Sequence, residues 1–494
     1  AIRDRFPKGT EFRDRDELDA VQRRLRGIAG VTVLIYEQTC AAEKRRRRKK
    51  GLLADPSRRL FINEAVCEGC GDCTVQSNCV AVLPQPTRLG RKRRIDQGAC
   101  NKDYSCVKGF CPSFVSVTGG RVRKQAGALL GAPAGTPPEP PAGASGHPAL
   151  VRFRQQVDAL PHPPGPVWTA PYDLLVTGVG GTGVVTVGAL VAMAAHLEGK
   201  SASVLDFMGF AQKGGSVLSF VRVADRPERL NQVRIDTQQA DAVLACDLVV
   251  GASPEALQTV RHGRTRVLVN RHEVPVADSM RNPDSDLKVD SLLAKIRAAA
   301  GAERVETFDA QDLAERYLGD TISANVLALG YAWQRGVVPL GLAAIERAIE
   351  LNGVAVATNR LAFSLGRLAA ADPRACLALA EGPADAGAVT DDGGATGLDR
   401  LITAAEADLT AWQGAAWAGR FRATVDKVRA RERALGGAGA LTTAVVHSLR
   451  KLMTYKDEYE VARLHTDDRY RAAIARQFDG DFRVTYHLAP PFLS

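Results

Sequence analysis

The stretch PYDLLVTGVGGTGVVTVGAL (171–190) decides the fold. An apolar run, DLLVTGV, meets the turn Gly178-Val179-Gly180-Gly181-Thr182-Gly183 and passes into a helix-like run, VVTVGALVAMAAHLEG. Strand, tight turn and helix start in that order open an α/β domain. Further apolar strands follow in SASVLDF (201–207), GGSVLSFVRVA (214–224), DAVLACDLVVGA (241–252) and RTRVLVN (264–270). Helical or loop segments separate them, so a layered sheet flanked by helices is expected over 171–375. Gly178, Gly180, Gly181 and Gly183 fit G-x-G-x-x-G, and Asp206 closes the next strand 23 residues after Gly183. On residues alone this fits dinucleotide binding, with the glycines as cofactor-binding positions. The same glycines also suit a tight strand-to-helix turn with close packing, or an anion site. Lys213-Gly214-Gly215-Ser216 is a second loop that would take a phosphate or simply turn.

Outward from this domain the sequence changes character. Helical spacing dominates from about 309 to 370, and DAGAVTDDGGATG (385–397) reads as a break within a flexible 376–400 linker. Residues 401–494 read as a helical domain, with apolar spacing in LITAAEADLTAWQGAAWAGRF and TAVVHSLRKLM. On the other side, GALLGAPAGTPPEPPAGASG and LPHPPGP make 124–170 a Pro/Gly/Ala linker. The chain has 494 residues, enough for roughly three domains. Apolar residues make up 45%, enough for a sizeable core, but no run reaches the ~20 residues of a membrane helix. The charged start, AIRDRFPKGTEFRDRDELD, lacks a secretory h-region, so no membrane role and a cytoplasmic location are expected. A start at Ala1 rather than Met reads as cut from something longer.

Much of the net charge of +10 sits in Lys44–Lys50 and Arg91–Arg94. Aromatic residues interleave neither run, which argues against a nucleic-acid platform. A solvated face or docking patch is the expected reading.

Seven of the ten cysteines crowd between positions 67 and 111. That is the wrong distribution for stapling so long a chain, so ligation is the better reading. The first run is Cys67-x2-Cys70-x2-Cys73-x5-Cys79, and the second is Cys100-x5-Cys106-x4-Cys111-Pro112. Two-cluster bacterial ferredoxins use C-x2-C-x2-C-x3-C-P twice, the fourth cysteine of each run serving the other cluster. Asp103 stands where the second run lacks its middle cysteine, and a carboxylate ligates iron more weakly than a thiolate. The expected ligand sets are therefore crossed: Cys67, Cys70, Cys73 and Cys111 for one cluster, and Cys79, Cys100 and Cys106 with Asp103 or solvent for the other. The second cluster is a 4Fe-4S or a 3Fe-4S centre on this pattern. Zinc sites favour two separated C-x2-C pairs, a poorer match. Cys40, Cys246 and Cys376 lie outside, and the last two read as ordinary buried thiols.

These landmarks occur together in one family. The chain resembles the C-terminal part of the fused indolepyruvate:ferredoxin oxidoreductases, within the 2-oxoacid:ferredoxin oxidoreductases. The matching stretches are VLIYEQTCAAEKRRRRKKG (33–51), LFINEAVCEGCGDCTVQSNC (60–79), RKRRIDQGACNKDYSCVKGFCPSF (91–114), PYDLLVTGVGGTGVVTVGAL (171–190), LDFMGFAQKGGSVLSFVRVA (205–224) and LMTYKDEYEVARL (452–464). The resemblance implies a multidomain α/β and α protein. Its parts would be the C-terminal end of a thiamine-diphosphate-binding domain (1–52), a ferredoxin-like Fe–S module (53–123), a Rossmann-like α/β gamma domain (171–375) and a truncated C-terminal helical domain. It implies oxidative decarboxylation of a 2-oxoacid, with thiamine diphosphate and Mg in the complete enzyme and coenzyme A as co-substrate. Electrons would pass through two iron–sulfur clusters to ferredoxin. Upstream pyrimidine- and thiamine-binding domains and a homo-oligomer are the implied partners, and nicotinamide binding at the glycine turn becomes the poorer reading. The alternatives are a stand-alone Fe–S or scaffold subunit, an Fe–S nucleic-acid binder, and an NAD-linked reductase.

Overall fold

In this computed structural model the described residues are 3–39, 43–44, 47–48, 51–77, 79, 81–87, 90–98, 100–123, 148–166, 168, 171–208, 215–272, 288–319, 321–379 and 395–488. The chain divides into two compact units, Ala1–Asp55 and Pro56–Ser494. Cys40, the 209–214 part of the second loop, and the 385–394 part of the expected break lie outside the described residues.

The first unit carries one nine-residue helix, Leu18–Arg26, none of whose residues is buried. GVTVLIYEQTC, expected as a buried parallel strand, has no regular structure over 31–39. Val31 is 96% exposed and Val33 75%. A strand must find a neighbour for its backbone groups, and among the described residues none pairs with this run.

The cysteine-bearing part of the second unit is built on β1 (Arg58–Ile62), a hairpin of β2 (Val82–Thr87) and β3 (Gly90–Ile95), and β4 (Phe114–Thr118), with the short β5 (Arg121–Val122) after it. β1 and β4 pair antiparallel, with Leu60 opposite Ser116. Period-two alternation gives their sheet two different faces. Leu60, Ile62 and Phe114 pack with Cys67 and Cys106, and with the partly buried Cys73, Cys79, Cys100 and Cys111. Val115 and Val117 point the other way, into a cluster with Tyr470, Ile474 and Phe478.

The α/β part begins before its first strand. Residues 148–158, inside the stretch read as linker, form the helix Pro148–Asp158. Leu150, Phe153 and Val157 fall on one face and are buried in the main core. Next come β6 (Tyr172–Val179), the helix Val184–Leu197, β7 (Ser201–Met208), β8 (Ser216–Ala224), β9 (Ala242–Ala245), β10 (Arg266–Asn270) and β11 (Val305–Phe308). Their order in one six-stranded sheet is β11-β10-β9-β6-β8-β7. The pairs from β11 to β6 are parallel, while β8 pairs antiparallel with both β6 and β7. The sheet is therefore Rossmann-like with an antiparallel strand inserted beside the first strand. DLVVGA, expected to be strand, turns helical at Leu248–Gly251 because the Asp247 carboxylate accepts the Val250 N–H at 2.9 Å and caps the turn. Ala324–Gln334 and Val356–Ala371 then pack as a buried helical pair, as the spacing over 309–370 predicts.

The C-terminal region is helical over Ala395–Gln413, Ala415–Ala434 and Ala440–Met453, which share their own apolar core. The end is not part of that body. Helices Glu458–Thr466 and Asp468–Gln477 run to β12 (Phe478–Asp479) and β13 (Arg483–Tyr486). β12 pairs with β5, and β13 lies antiparallel to β4 as the third strand of the cysteine part's sheet. The expected 401–494 helical domain is thus two things, a bundle and a two-helix cover with β strands.

One buried ion pair ties the α/β sheet together. Asp173 on β6 faces Arg222 on β8, with contacts of 2.7 and 3.3 Å and side chains only 6% and 5% exposed. Burial pushes the Asp173 carboxyl up, against the opposing pull of Arg222. Removing one partner of such a pair strands the other charge. Asp173→Ala is expected to lower stability by about 3–5 kcal/mol in urea unfolding, and the double change Asp173→Leu/Arg222→Met by far less. Equal losses would show that the stranded charge is not the cause.

Candidate functional site

The ligand loops are shaped by unusual backbone. Gly69 and Gly71 take positive φ, and a Cβ on Gly69 would stand 2.1 Å from the Arg91 carbonyl oxygen. Lys102, Tyr104 and Phe110 are non-glycine residues at φ +57°, +62° and +53°, all within the second cysteine run. Such conformations concentrate where a fold holds functional groups against local preference. Backbone N–H groups two residues on donate to the sulfurs of Cys67 (from Gly69, 3.3 Å), Cys70 (from Asp72) and Cys100 (from Lys102).

The thiols fall into two neighbourhoods. Burial pushes the Cys73 thiol up to about 12, and Cys67, Cys111 and Cys70 add to the effect. Burial likewise pushes Cys106 up to about 12, with Cys79 and Cys100 the nearest contributors, then Cys73 and Asp103. Cys73 thus shares its surroundings with Cys67, Cys70 and Cys111, and Cys106 with Cys79 and Cys100. Asp103 is exposed, and its Oδ1 accepts from the Ser105 N–H and Oγ at 3.3 and 3.1 Å. Among the described residues no three His, Cys, Asp or Glu side chains converge on a point where one metal ion would sit.

The basic run Arg91–Arg94, expected on a solvated face, is half interior. Lys92 and Arg93 are 7% and 4% exposed. Lys92 Nζ donates to the Cys67 carbonyl at 2.6 Å. Arg93 Nε and Nη2 are buried with no hydrogen-bond partner, and this guanidinium lies within electrostatic reach of Cys73. A run of four cations gives no sign of which ones are buried, and Lys92 and Arg93, being adjacent on β3, are covered on opposite faces of the hairpin.

Three side chains from the C-terminal region, one in the bundle helix Ala440–Met453 and two beyond it, also reach this site and escaped the sequence reading. Lys456 Nζ pairs with Glu68 and donates to the Val66 carbonyl at 3.1 Å and the Cys67 carbonyl at 3.4 Å. Lys451 lies 3.9 Å from Glu68. His465 is buried, and its Nε2 donates to the Pro112 carbonyl at 2.9 Å. Asn63 Nδ2 donates to the Leu464 carbonyl at 3.0 Å and lies 3.3 Å from His465 Nδ1. Both partners fix the imidazole as neutral with the proton on Nε2, and burial lowers its proton affinity in the same sense.

The glycine turn is a packing device in this geometry. A Cβ on Gly178 would stand 2.6 Å from Val184 Cγ2 and 3.3 Å from Cys246 Cβ. Gly181 and Gly183 hold φ of +85° and +100°. Gly180 N–H donates to the Gly215 carbonyl at 2.8 Å, and Asn325 Nδ2 donates to the carbonyl and hydroxyl of Thr182. Asp206 pairs in register with Ser219, which faces Val176 on β6. The inserted β8 therefore sets Asp206 two strands, roughly 10 Å, from β6 rather than one. Cys246 and Cys376 are buried thiols pushed up to about 12 by burial, as expected for core residues. A cavity of about 680 Å³ opens at the opposite end of β6, beside Tyr172 and Asp173. Two of its cations, Arg264 and Arg266, are already paired with Asp241 and Glu306.

Fold and site together define a mixed α/β protein with a helical C-terminal region and a separate cysteine-rich module. A family model described as pyruvate ferredoxin/flavodoxin oxidoreductase matches residues 173–369, and one described as a family of unknown function (DUF6537) matches 398–494. The chain is 29% identical over 204 residues to indolepyruvate oxidoreductase subunit IorB of Pyrococcus horikoshii, covering 40% of this chain and 96% of the relative. It is 27% identical over 163 residues to the subunit of that name from Methanothermobacter thermautotrophicus, covering 33% of this chain and 77% of the relative. The crystal structure of pyruvate oxidoreductase subunit PORC from Thermotoga maritima is similar at 21% identity and a TM-score of 0.29, covering 40% of this chain and 95% of that one. Over residues 173–369 and the curated relatives they cover, these matches support a member of the 2-oxoacid:ferredoxin oxidoreductase family.

If the turn serves packing, Gly178→Ala costs stability, about 1–3 kcal/mol from overpacking against Val184. Thermal unfolding of the variant should show the loss, with no nicotinamide affinity in either protein by titration calorimetry. Nicotinamide binding by the parent chain that the variant lacks would reverse this reading.

Proposed function

We propose that this chain carries the electron-relay portion of a 2-oxoacid:ferredoxin oxidoreductase. Cys67, Cys70, Cys73 and Cys111 hold one cluster. Cys79, Cys100 and Cys106 hold the other, with Asp103 or solvent at its fourth corner. The observation that carries the reading is Arg93, a buried guanidinium with two unpartnered nitrogens within electrostatic reach of the Cys73 thiol. A cation left alone in a core costs several kcal/mol. Thiolates around iron supply the missing negative charge, and binding metal strips the protons that burial otherwise keeps on these sulfurs.

The clusters supply one-electron acceptance and release. The chain's own residues hold them, keep water from the Cys67 and Cys106 side and balance their charge. Indolepyruvate or another aryl pyruvate is the proposed substrate class, following the relatives' names. Thiamine diphosphate with Mg and coenzyme A act elsewhere in the complete enzyme, ferredoxin takes the electrons, and residues 1–52 belong to the thiamine-binding domain. The enzyme is placed in the cytoplasm, as a homo-oligomer. The other reading, a stand-alone relay subunit, draws on the relatives being named as subunits; a thiamine site on a separate chain would favour it.

Anaerobic purification and iron analysis of single variants test the ligand sets. About seven or eight irons per chain are expected. Cys73→Ser and Cys106→Ser should each lose about half of them, with a different cluster signal surviving in each case. Zinc in place of iron, or the same signal lost in both variants, would refute the assignment.

A further inference from the structure

We propose that the C-terminal cover, residues 456–486, is the clamp and charge-setting element of the first cluster, acting through Lys456 and His465 as positioning residues. This rests on the cluster reading above and gives a task to a region that a family model of unknown function matches.

The two ligand segments of that cluster, Asn63–Cys73 and Cys111–Pro112, are far apart in sequence, and His465 joins them. Its Nε2 donates to the Pro112 carbonyl, next to Cys111. Its Nδ1 faces Asn63, whose carbonyl receives the Cys67 N–H at 2.9 Å. The ring is wedged between Tyr470 and Tyr486, with centroids at 5.2 and 4.8 Å, so it has little freedom to let go. β13 fixes the same cover to β4 through a continuous register from Arg483 to Tyr486.

Lys456 adds charge. Its ammonium rests on the carbonyls of Val66 and Cys67 and pairs with Glu68, between the first two ligands. The lysine side chain is only 16% exposed, so solvent screens it weakly. Net charge around a cluster is one of the levers that set its potential. A fixed cation favours the reduced, more negative state, and Glu68 opposes it. The cover is therefore built to raise the potential of the cluster it touches and to leave the other, around Cys106, alone.

The test is a potentiometric titration of the full chain, purified without oxygen and followed by electron paramagnetic resonance, with iron content measured in each sample. Lys456→Gln should keep its iron and lower the midpoint of one signal, a loss of severalfold in the reduction equilibrium constant. Glu68→Gln should raise the same midpoint, and the second signal should stay still in both. His465→Phe should release iron from that one cluster severalfold faster to a chelator. Iron-replete variants whose potentials do not move, or move in the same direction for Lys456→Gln and Glu68→Gln, would overturn the inference and leave the cluster reading standing. A parent chain without iron would overturn both.

Discussion

The cysteine part of this protein is built around a buried cation, Arg93, two of whose nitrogens have no hydrogen-bond partner among the described residues. Arg93 is 4% exposed, two of its nitrogens make no hydrogen bond, and the groups closest to it in kind are thiols. Proteins rarely bury a cation without an anion. Here the same small volume also lacks an ordinary core: six cysteines share one cluster with Leu60, Ile62, Val82, Ile95 and Phe114. An anionic inorganic body satisfies both conditions at once. Bound there as proposed, it would pair with the guanidinium and supply the volume that the sparse aliphatic side chains do not.

The sheet beneath that volume explains why the chain needs its distant end. β4 turns Phe114 toward the thiols and Val115 and Val117 away from them. A two-stranded ribbon with an apolar back is marginal on its own. β13 adds the third strand, and the helices Glu458–Thr466 and Asp468–Gln477 close over the back. The same cover brings Lys456 and His465 to the ligand loops. Structural completion and electrostatic control thus come from one segment.

Much of this was legible in the sequence. The glycine turn announced its strand and helix, and the cysteine spacing marked a segment whose thiols gather in one cluster of the fold. What stayed hidden has physical reasons. A run of four basic residues looks like surface until the hairpin is covered on both faces at Lys92 and Arg93. The pairing of β13 with β4 links residues more than 360 positions apart, and no local pattern encodes it. DAVLACDLVVGA reads as one apolar strand because the cap at Asp247 is a single residue inside it. The β-branched run after Gly30 reads as a strand because propensity is local, whereas a strand's partner is not.

The most direct test of the account is the low-temperature paramagnetic resonance spectrum of the anaerobic chain after dithionite reduction. Two iron–sulfur centres in so small a module lie close enough for their spins to interact. The account predicts iron-based signals broadened by that interaction, which sharpen when either thiol group is broken. A chain that binds no iron, or one that gives the signal of a single isolated centre, would contradict it.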